Sequence, residues 1–238
     1  MYYIGWDIGI KNLGYCIIEQ LSDKTEIIHD INIINLIDPP TIYKCSCINK
    51  NSSVCKGKVL YIDKINENNK YCNKHYNGFT TKEQKMIKII KPPKKCSKYS
   101  LEELGKKLFK TLDEHTLFLK CENIIIENQP VLKNPTMKSI QIMLYSYFLI
   151  KNTNINIIKL VNASNKLKVY KGKIPDSDSI YLSNIKDKYR RNKLTAILHT
   201  QLMINDKEKL DYFNSHKKKD DLADAYLMAK YLINCNNN

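Results

Sequence analysis

The sequence predicts a mixed α/β fold, one sheet flanked by helices and interrupted by a small Cys/His-rich insertion. Three observations carry this. Short, apolar, β-branched runs early in the chain give way to helical patterns further on. Two of those runs end in a carboxylate, Ile4-Gly5-Trp6-Asp7 and Ile124-Ile125-Ile126-Glu127. Five of the eight cysteines fall between residues 41 and 98.

Taken in order, residues 2–7 and 13–20 read as two strands around a Gly-containing turn. Residues 25–37 are β-branched and partly alternating and predict a third strand, which Asp38-Pro39-Pro40 stops. Residues 41–98 are rich in Asn, Lys and Cys, with Pro92-Pro93 near the end, and read as an insertion into a single domain spanning 1–238. Ser100 and Glu103 have capping-box spacing, and Leu101, Leu104, Leu108 and Leu112 mark one face of a helix over about residues 101–119. The run before Glu127 is fully apolar, as in a sheet covered on both faces. Residues 136–151 predict an apolar, aromatic-rich helix and 155–161 another strand. Residues 165–185 read as a basic loop, and 187–204 and 219–234 as two further helices.

Lysine and arginine outnumber acids 39 to 24, a net charge of +15 that favours a polyanionic partner. No stretch of apolar residues is long enough to span a membrane. The chain starts directly in a strand, so no signal peptide is expected. Eight cysteines then point to reduced thiols or a metal site in an intracellular, reducing compartment.

The acids are the sharpest signal. Asp7 and Glu127 sit at strand ends, and the carboxyl edge of an α/β sheet is where ligands bind. In Lys219-Asp220-Asp221-Leu222-Ala223-Asp224, Asp221 and Asp224 share a helix face. A helix N-terminus explains acids at 220 and 221. It does not explain Asp224, which precedes the apolar run Ala225–Ala229 and is costly to bury unless paired or metal-bound. Three stretches delivering hard oxygen ligands predict Mg²⁺ or Mn²⁺, two ions per site for phosphodiester chemistry. Asp7 is then the bridging ligand, with Glu127 on one ion and Asp221 and Asp224 on the other. Lys217 and Lys218, just before these acids, are candidates for transition-state support, against the ordinary reading of a solvated run.

These motifs, D-I-G-x-x-N-x-G, I-I-I-E-N-Q-P and K-K-D-D-L-A-D-A, resemble the RuvC-like branch of the RNase H-like nuclease superfamily. The nearest resemblance is to the Holliday junction resolvases of poxviruses and related large DNA viruses. It implies an RNase H-like mixed sheet and a homodimeric, Mg²⁺-dependent endonuclease that cuts branched DNA, four-way junctions in particular, at symmetric positions. It also implies Asp7, Glu127, Asp221 and Asp224 as catalytic acids, and sites of viral DNA replication or the virion as the setting.

The insertion departs from that family. Cys45, Cys47, Cys55, Cys72 and His75 lie in one short stretch. Tetrahedral zinc takes four such ligands, and Cys45, Cys55, Cys72 and His75 are the favoured set, with Cys47 as the alternative to Cys45. One structural Zn²⁺ is expected, because the segment is too poor in apolar residues to fold on a core of its own.

Lys166, Lys168, Lys171 and Lys173 with Arg190, Arg191 and Lys193 read as a phosphate-tracking surface. Ile140, Met143, Leu144, Tyr147 and Phe148 form a helical stripe, equally readable as a dimer interface or as monomer core. Two rival functions stay open: a RuvC-like transposon nuclease acting on flaps or forks, and a zinc-containing DNA-binding protein without catalysis. An actin-like kinase, which also uses D-x-G, is disfavoured by only seven glycines and no second such loop.

Overall fold

A computed structural model describes residues 1–37, 42–92 and 94–237. The proposed stop at Asp38-Pro39-Pro40 lies outside the described residues, as does Pro93. The chain forms two compact units, a core unit built from residues 1–37 and 99–237 and an insertion unit described over residues 42–92 and 94–98.

The chain begins with β1 (Tyr2–Asp7), β2 (Leu13–Gln20) and β3 (Glu26–Ile34). The insertion follows, with β4 (Val59–Asp63), β5 (Lys70–Cys72), α1 (Asn73–Tyr76), α2 (Thr81–Lys85) and β6 (Ile87–Ile89). The core unit resumes with α3 (Leu101–Glu114), β7 (Asn123–Glu127), α4 (Pro135–Lys151) and β8 (Ile157–Val161). It ends with α5 (Asp176–Ser183), α6 (Lys188–Met203), α7 (Lys207–Ser215) and α8 (Lys219–Asn236).

The core sheet has the order β3-β2-β1-β7-β8. β1, β2 and β3 are antiparallel meander strands, whereas β1, β7 and β8 run parallel. Parallel neighbours end on the same edge, so Asp7 and Glu127 emerge side by side.

Alternation along β1 sends Ile4 and Trp6 to one face and Tyr3 and Gly5 to the other. On the first face Trp6 meets Phe118 and Phe148 at ring-centroid distances of 5.1 and 6.1 Å. Leu104, Leu108 and Leu112 of α3 are fully buried, and Ser100 and Glu103 form the expected capping box. Helix α3 stops at Glu114, and a 3-10 turn over Thr116–Lys120 finishes the segment predicted as one helix.

The stripe on α4 belongs to this core. Ile140, Leu144 and Phe148 are fully buried and Tyr147 nearly so, its hydroxyl donating to Asp113 Oδ1 at 2.9 Å. Met143 is half-buried, its sulfur close to Gly105. Side chains already enclosed by their own chain have no surface to offer a second copy, which corrects the interface reading of these residues.

On the other face α8 lies against β1 and β2 with almost no gap. A Cβ on Gly5 would stand 2.3 Å from the Ala225 carbonyl oxygen and 2.4 Å from the Ala229 nitrogen. A Cβ on Gly14 would stand 2.7 Å from the Asp221 carbonyl oxygen. Leu222, Ala223, Ala225, Tyr226, Leu227, Met228 and Ala229 are buried in sequence, and Ala196 of α6 joins the same cluster.

Two helices of the core unit went unforeseen. α5 lies in the predicted loop and buries only Leu182, so it shows no apolar period. α7 starts on Asp206, whose side chain accepts from the Lys209 N–H, and anchors Phe213. In the insertion unit a small antiparallel sheet of order β5-β4-β6 carries a buried cluster made of Cys45, Cys55 and Cys72. Among the described residues no helix is long and apolar enough to cross a membrane.

The tight seat of α8 predicts that Gly5→Ala destabilises the protein by roughly 1–3 kcal/mol, the usual cost of overpacking against groups that cannot move aside. A urea midpoint equal to that of the unmodified protein would show that helix and strand are not in this contact.

Candidate active site

The carboxyl ends of the parallel strands open on a cavity of about 560 Å³ whose lining includes Asp7, Glu127, Lys166, Lys193, Asp221 and Asp224. Asp7 closes β1 and Glu127 closes β7. Lys166 comes from a 3-10 turn, Ala163–Lys168, that follows β8. Asp221 and Asp224 come from the first turns of α8, held beside Asp7 by the helix contact at Gly14. All four predicted acids therefore share one cavity.

Lys166 was expected on an outer phosphate-tracking surface and is instead inside. Its Nζ lies 2.5 Å from Asp224 Oδ2, and the two side chains are only 12% and 14% exposed. The reason is the direction of β8, which delivers the following turn to the same edge as Asp7 and Glu127, while Leu167 packs on the core.

Burial dominates the titration of the acids. It raises the Asp7 pKa well above the ordinary carboxylate value, helped by a hydrogen bond and repulsion from Glu127 and by the Asp224 charge, with Lys166 opposing. Asp224 is pushed up to about 6 by burial, partly offset by Lys166. Asp221 is raised by burial and by the neighbouring Asp220 charge. Its Oδ2 is buried without a hydrogen-bond partner, and Lys218 Nζ stays 4.0 Å away. Burial works against the Lys166 ammonium, but Asp224, Asp7 and Glu127 outweigh it and hold its pKa above the usual lysine value. Asp220 has a different partner, Lys193 at 2.5 Å, which lowers its pKa against the effect of burial.

The cavity thus holds more carboxylate than its ammonium groups neutralise, with one oxygen unsatisfied. Hard oxygen donors short of positive charge suit Mg²⁺ or Mn²⁺.

The other predicted residues divide. Lys168, Lys171, Lys173 and Arg190 are exposed. Arg191 is half-buried and reaches the Ile185 carbonyl, and Lys193 is held by Asp220, so both depart from the expected free surface. Lys217 is exposed; Lys218, also exposed, pairs with Asp221 at 4.0 Å, and Lys166 is the buried cation among the carboxylates. Tyr189, read with the basic start of α6, lines the cavity, and Lys188 and Asn192, which were not anticipated, line it too. A helix start beside a basic loop gives no sequence cue to which way it faces.

In the insertion unit the ligand atoms of Cys45, Cys55, Cys72 and His75 all lie within 4.8 Å of one another. Cys55 and Cys72 sulfurs are 3.7 Å apart, and His75 Nδ1 is 3.4 Å from both Cys45 and Cys72 sulfurs. Zinc–ligand bonds of about 2.3 Å to sulfur and 2.0–2.1 Å to nitrogen give tetrahedral edges of about 3.8 and 3.6 Å. The set fits zinc. Cys47 lies outside it, half-buried.

The comparisons fit this geometry. No protein-family model matches the chain. A protein of Acanthamoeba polyphaga mimivirus, uncharacterized protein L451, is 30% identical over an alignment covering 98% of this chain and 74% of that one. The chain belongs to the family of this mimivirus protein. Among solved structures, the fowlpox virus resolvase in complex with substrate Holliday junction DNA matches at 16% identity, covering 99% of each chain, with a TM-score of 0.51. The yeast mitochondrial Holliday junction resolvase Ydc2 matches at 18% identity, over 97% of this chain and 78% of that one, with a TM-score of 0.45. The fold is the RNase H-like fold of the viral resolvase.

Both candidate metal sites can be tested directly. Protein purified without chelator should carry about one zinc per chain, released on denaturation with thiol modification. Absence of zinc together with freely reactive Cys45, Cys55 and Cys72 would exclude the site. For the cavity, a carboxylate whose folded pKa is raised favours the folded state below its unfolded value near 4. That contribution is lost as pH rises through about 6 for Asp224. A bound cation relieves the repulsion that remains, so Mg²⁺ should raise the melting temperature clearly at pH 7.5 and little at pH 5. Equal gains at both pH values, at matched ionic strength, would refute this.

Proposed function

We propose that the protein is a divalent-metal-dependent endonuclease that resolves four-way DNA junctions by paired, symmetric phosphodiester cleavage. The observation behind this is the convergence of Asp7, Glu127, Asp221 and Asp224, with Lys166, on one cavity at the sheet's carboxyl edge. The fowlpox virus protein of the same fold is described with substrate Holliday junction DNA. A shared fold leaves activity to be argued from the site.

Asp7, Glu127, Asp221 and Asp224 would hold the cations, which supply a more acidic bound water and a positive charge for the departing oxygen. The remaining work falls to the chain itself. Asp7, on a strand end and almost fully enclosed, cannot swing away, so it fixes the position of the reacting phosphate's surroundings. Lys166 presents a fixed ammonium at the cavity wall, where charge developing on the phosphoryl oxygens is stabilised. Lys188 and Asn192 offer donors to the adjoining backbone, and Lys168, Lys171, Lys173 and Arg190 extend the positive surface outside the cavity.

Two symmetric cuts require two related sites, which a two-fold dimer supplies. The outward side chains of α4, Ile142, Leu149 and Ile150, remain exposed and are our proposed contact with a second copy. A relative in a large DNA virus agrees with a viral setting, and sites of viral DNA replication are our proposed location.

The test is to incubate the protein with matched four-way junction, Y-fork and linear duplex and to map the nicks. Mg²⁺ should yield paired nicks symmetric about the crossover, and EDTA none. Asp7→Asn should abolish cleavage while junction binding holds or tightens, since one repulsive charge is removed. Lys166→Met should slow the chemical step by roughly 10²–10³-fold, the scale of losing one aimed electrostatic group. Wild-type cutting by Asp7→Asn would overturn the site assignment. Nicks confined to forks would move the reading to a flap or fork nuclease.

A further inference from the structure

The insertion unit carries most of the chain's excess charge. Residues 38–98 contain 14 lysines and four acidic residues, +10 of the total +15. Its described carboxylates are committed to local structure. Asp63 accepts the backbone N–H groups of Ile65 and Asn66 at 2.8 and 3.1 Å. Glu83 closes a capping box with Thr80, and Glu67 pairs with Lys88 at 2.8 Å.

Four of the lysines are tied to the metal cluster by sequence. Lys44 precedes Cys45, Lys56 follows Cys55, and Lys74 sits between Cys72 and His75. Lys58 follows Gly57, where a Cβ would stand 2.9 Å from the Cys72 sulfur. All four are exposed. Because the ligand atoms lie within 4.8 Å of one another, the four backbones carrying these lysines converge on one rigid centre. The centre sets where the four side chains start, while each exposed lysine keeps its own rotamer freedom.

The aromatic rings nearby each have a contact within the unit. Tyr61 and Tyr76 stack at 3.8 Å, Tyr71 packs on Phe79, and Lys70 covers Tyr43. Half-buried rings with one contact already made offer less to unpaired bases than the open aromatic platforms of single-strand binders. What remains is charge complementarity to a regular phosphate backbone.

We propose that the insertion unit is a metal-stapled grip for the phosphodiester backbone of duplex DNA, independent of the nuclease cavity. The choice of DNA rests on the proposed nuclease function. The grip adds sequence-independent affinity for the arms of the substrate.

The experiment uses full-length, zinc-loaded protein without Mg²⁺ and a DNA duplex of about 40 base pairs, with binding measured between about 50 and 200 mM salt. The variant is Lys44→Gln, Lys56→Gln, Lys58→Gln and Lys74→Gln combined. Each lost phosphate contact should reduce the slope of log K against log salt by about one, so a fall of about three to four is expected, with zinc content and melting temperature kept. Arginine at the same four positions should keep the slope. A control removing Lys106, Lys110 and Lys151, which lie beside carboxylates of the core unit, should change it by less than about one. An unchanged slope in the glutamine variant, loss of binding in the arginine variant, or an equal loss in the control would each overturn the proposal. Tighter binding to an RNA duplex would overturn the DNA assignment. Unmodified protein that shows the steep, lysine-dependent slope but makes no nicks with Mg²⁺ would support the grip and refute the nuclease reading.

Discussion

The backbone-to-backbone contact between α8 and the first two strands controls the geometry of the cavity. Gly5 and Gly14 on the strands face Ala225, Ala229 and the Asp221 carbonyl on the helix, and no side chain fits between them. A helix seated this closely has little freedom to slide or roll, because any shift drives main-chain atoms together. Its first turns therefore hold Asp221 and Asp224 at a set distance from the end of β1. The acids are placed by the most enclosed helix of the core unit rather than by a loop, and site geometry borne on rigid elements is the more exact kind.

That rigidity forces charges together that would otherwise separate. Two like charges about 4 Å apart repel by roughly 4 kcal/mol at an effective dielectric of 20, and burial adds a desolvation cost. Asp7, Glu127 and Asp224 face this with Lys166 as the close ammonium. The raised pKa values of Asp7 and Asp224 record the imbalance. An arrangement so unfavourable by itself suits a site that takes up a cation, since nothing in the packing of the surrounding core requires acids there.

How much of this could be read from the chain depended on whether the signal was local. Asp7 and Glu127 each end an apolar run, and Asp221 and Asp224 share one helix face, so neighbouring residues alone identify them. The Ser100–Glu103 cap was legible for the same reason. Lys166 was not, because it lies among Lys168, Lys171 and Lys173, and only the parallel pairing of β8 with β7 shows which of them turns inward. Helix α4 is apolar on nearly every side, burying Ile140, Leu144 and Phe148 while exposing Ile142, Leu149 and Ile150. Periodicity cannot divide core from contact surface on such a helix. The choice between Cys45 and Cys47 likewise depended on three-dimensional convergence, since both precede Cys55 at workable spacing.

The two units are stabilised by different means, and the difference bears on what their surfaces can do. The core unit buries aromatic and aliphatic side chains on both faces of its sheet. A segment as short as the insertion cannot do this and would need a staple. Its buried cluster is three cysteines, with Cys47 and Val59 packed beside them. Once a metal supplies the stability that apolar burial would have given, the rest of the segment is released from core duty. Lysine and asparagine can then occupy much of the surface, beside exposed Ile42, Ile48, Val54, Ile65 and Ile89, without unfolding the unit. The composition that makes this stretch look least able to fold is therefore the one best suited to meet a polyanion, with the Cys/His cluster as the condition for both.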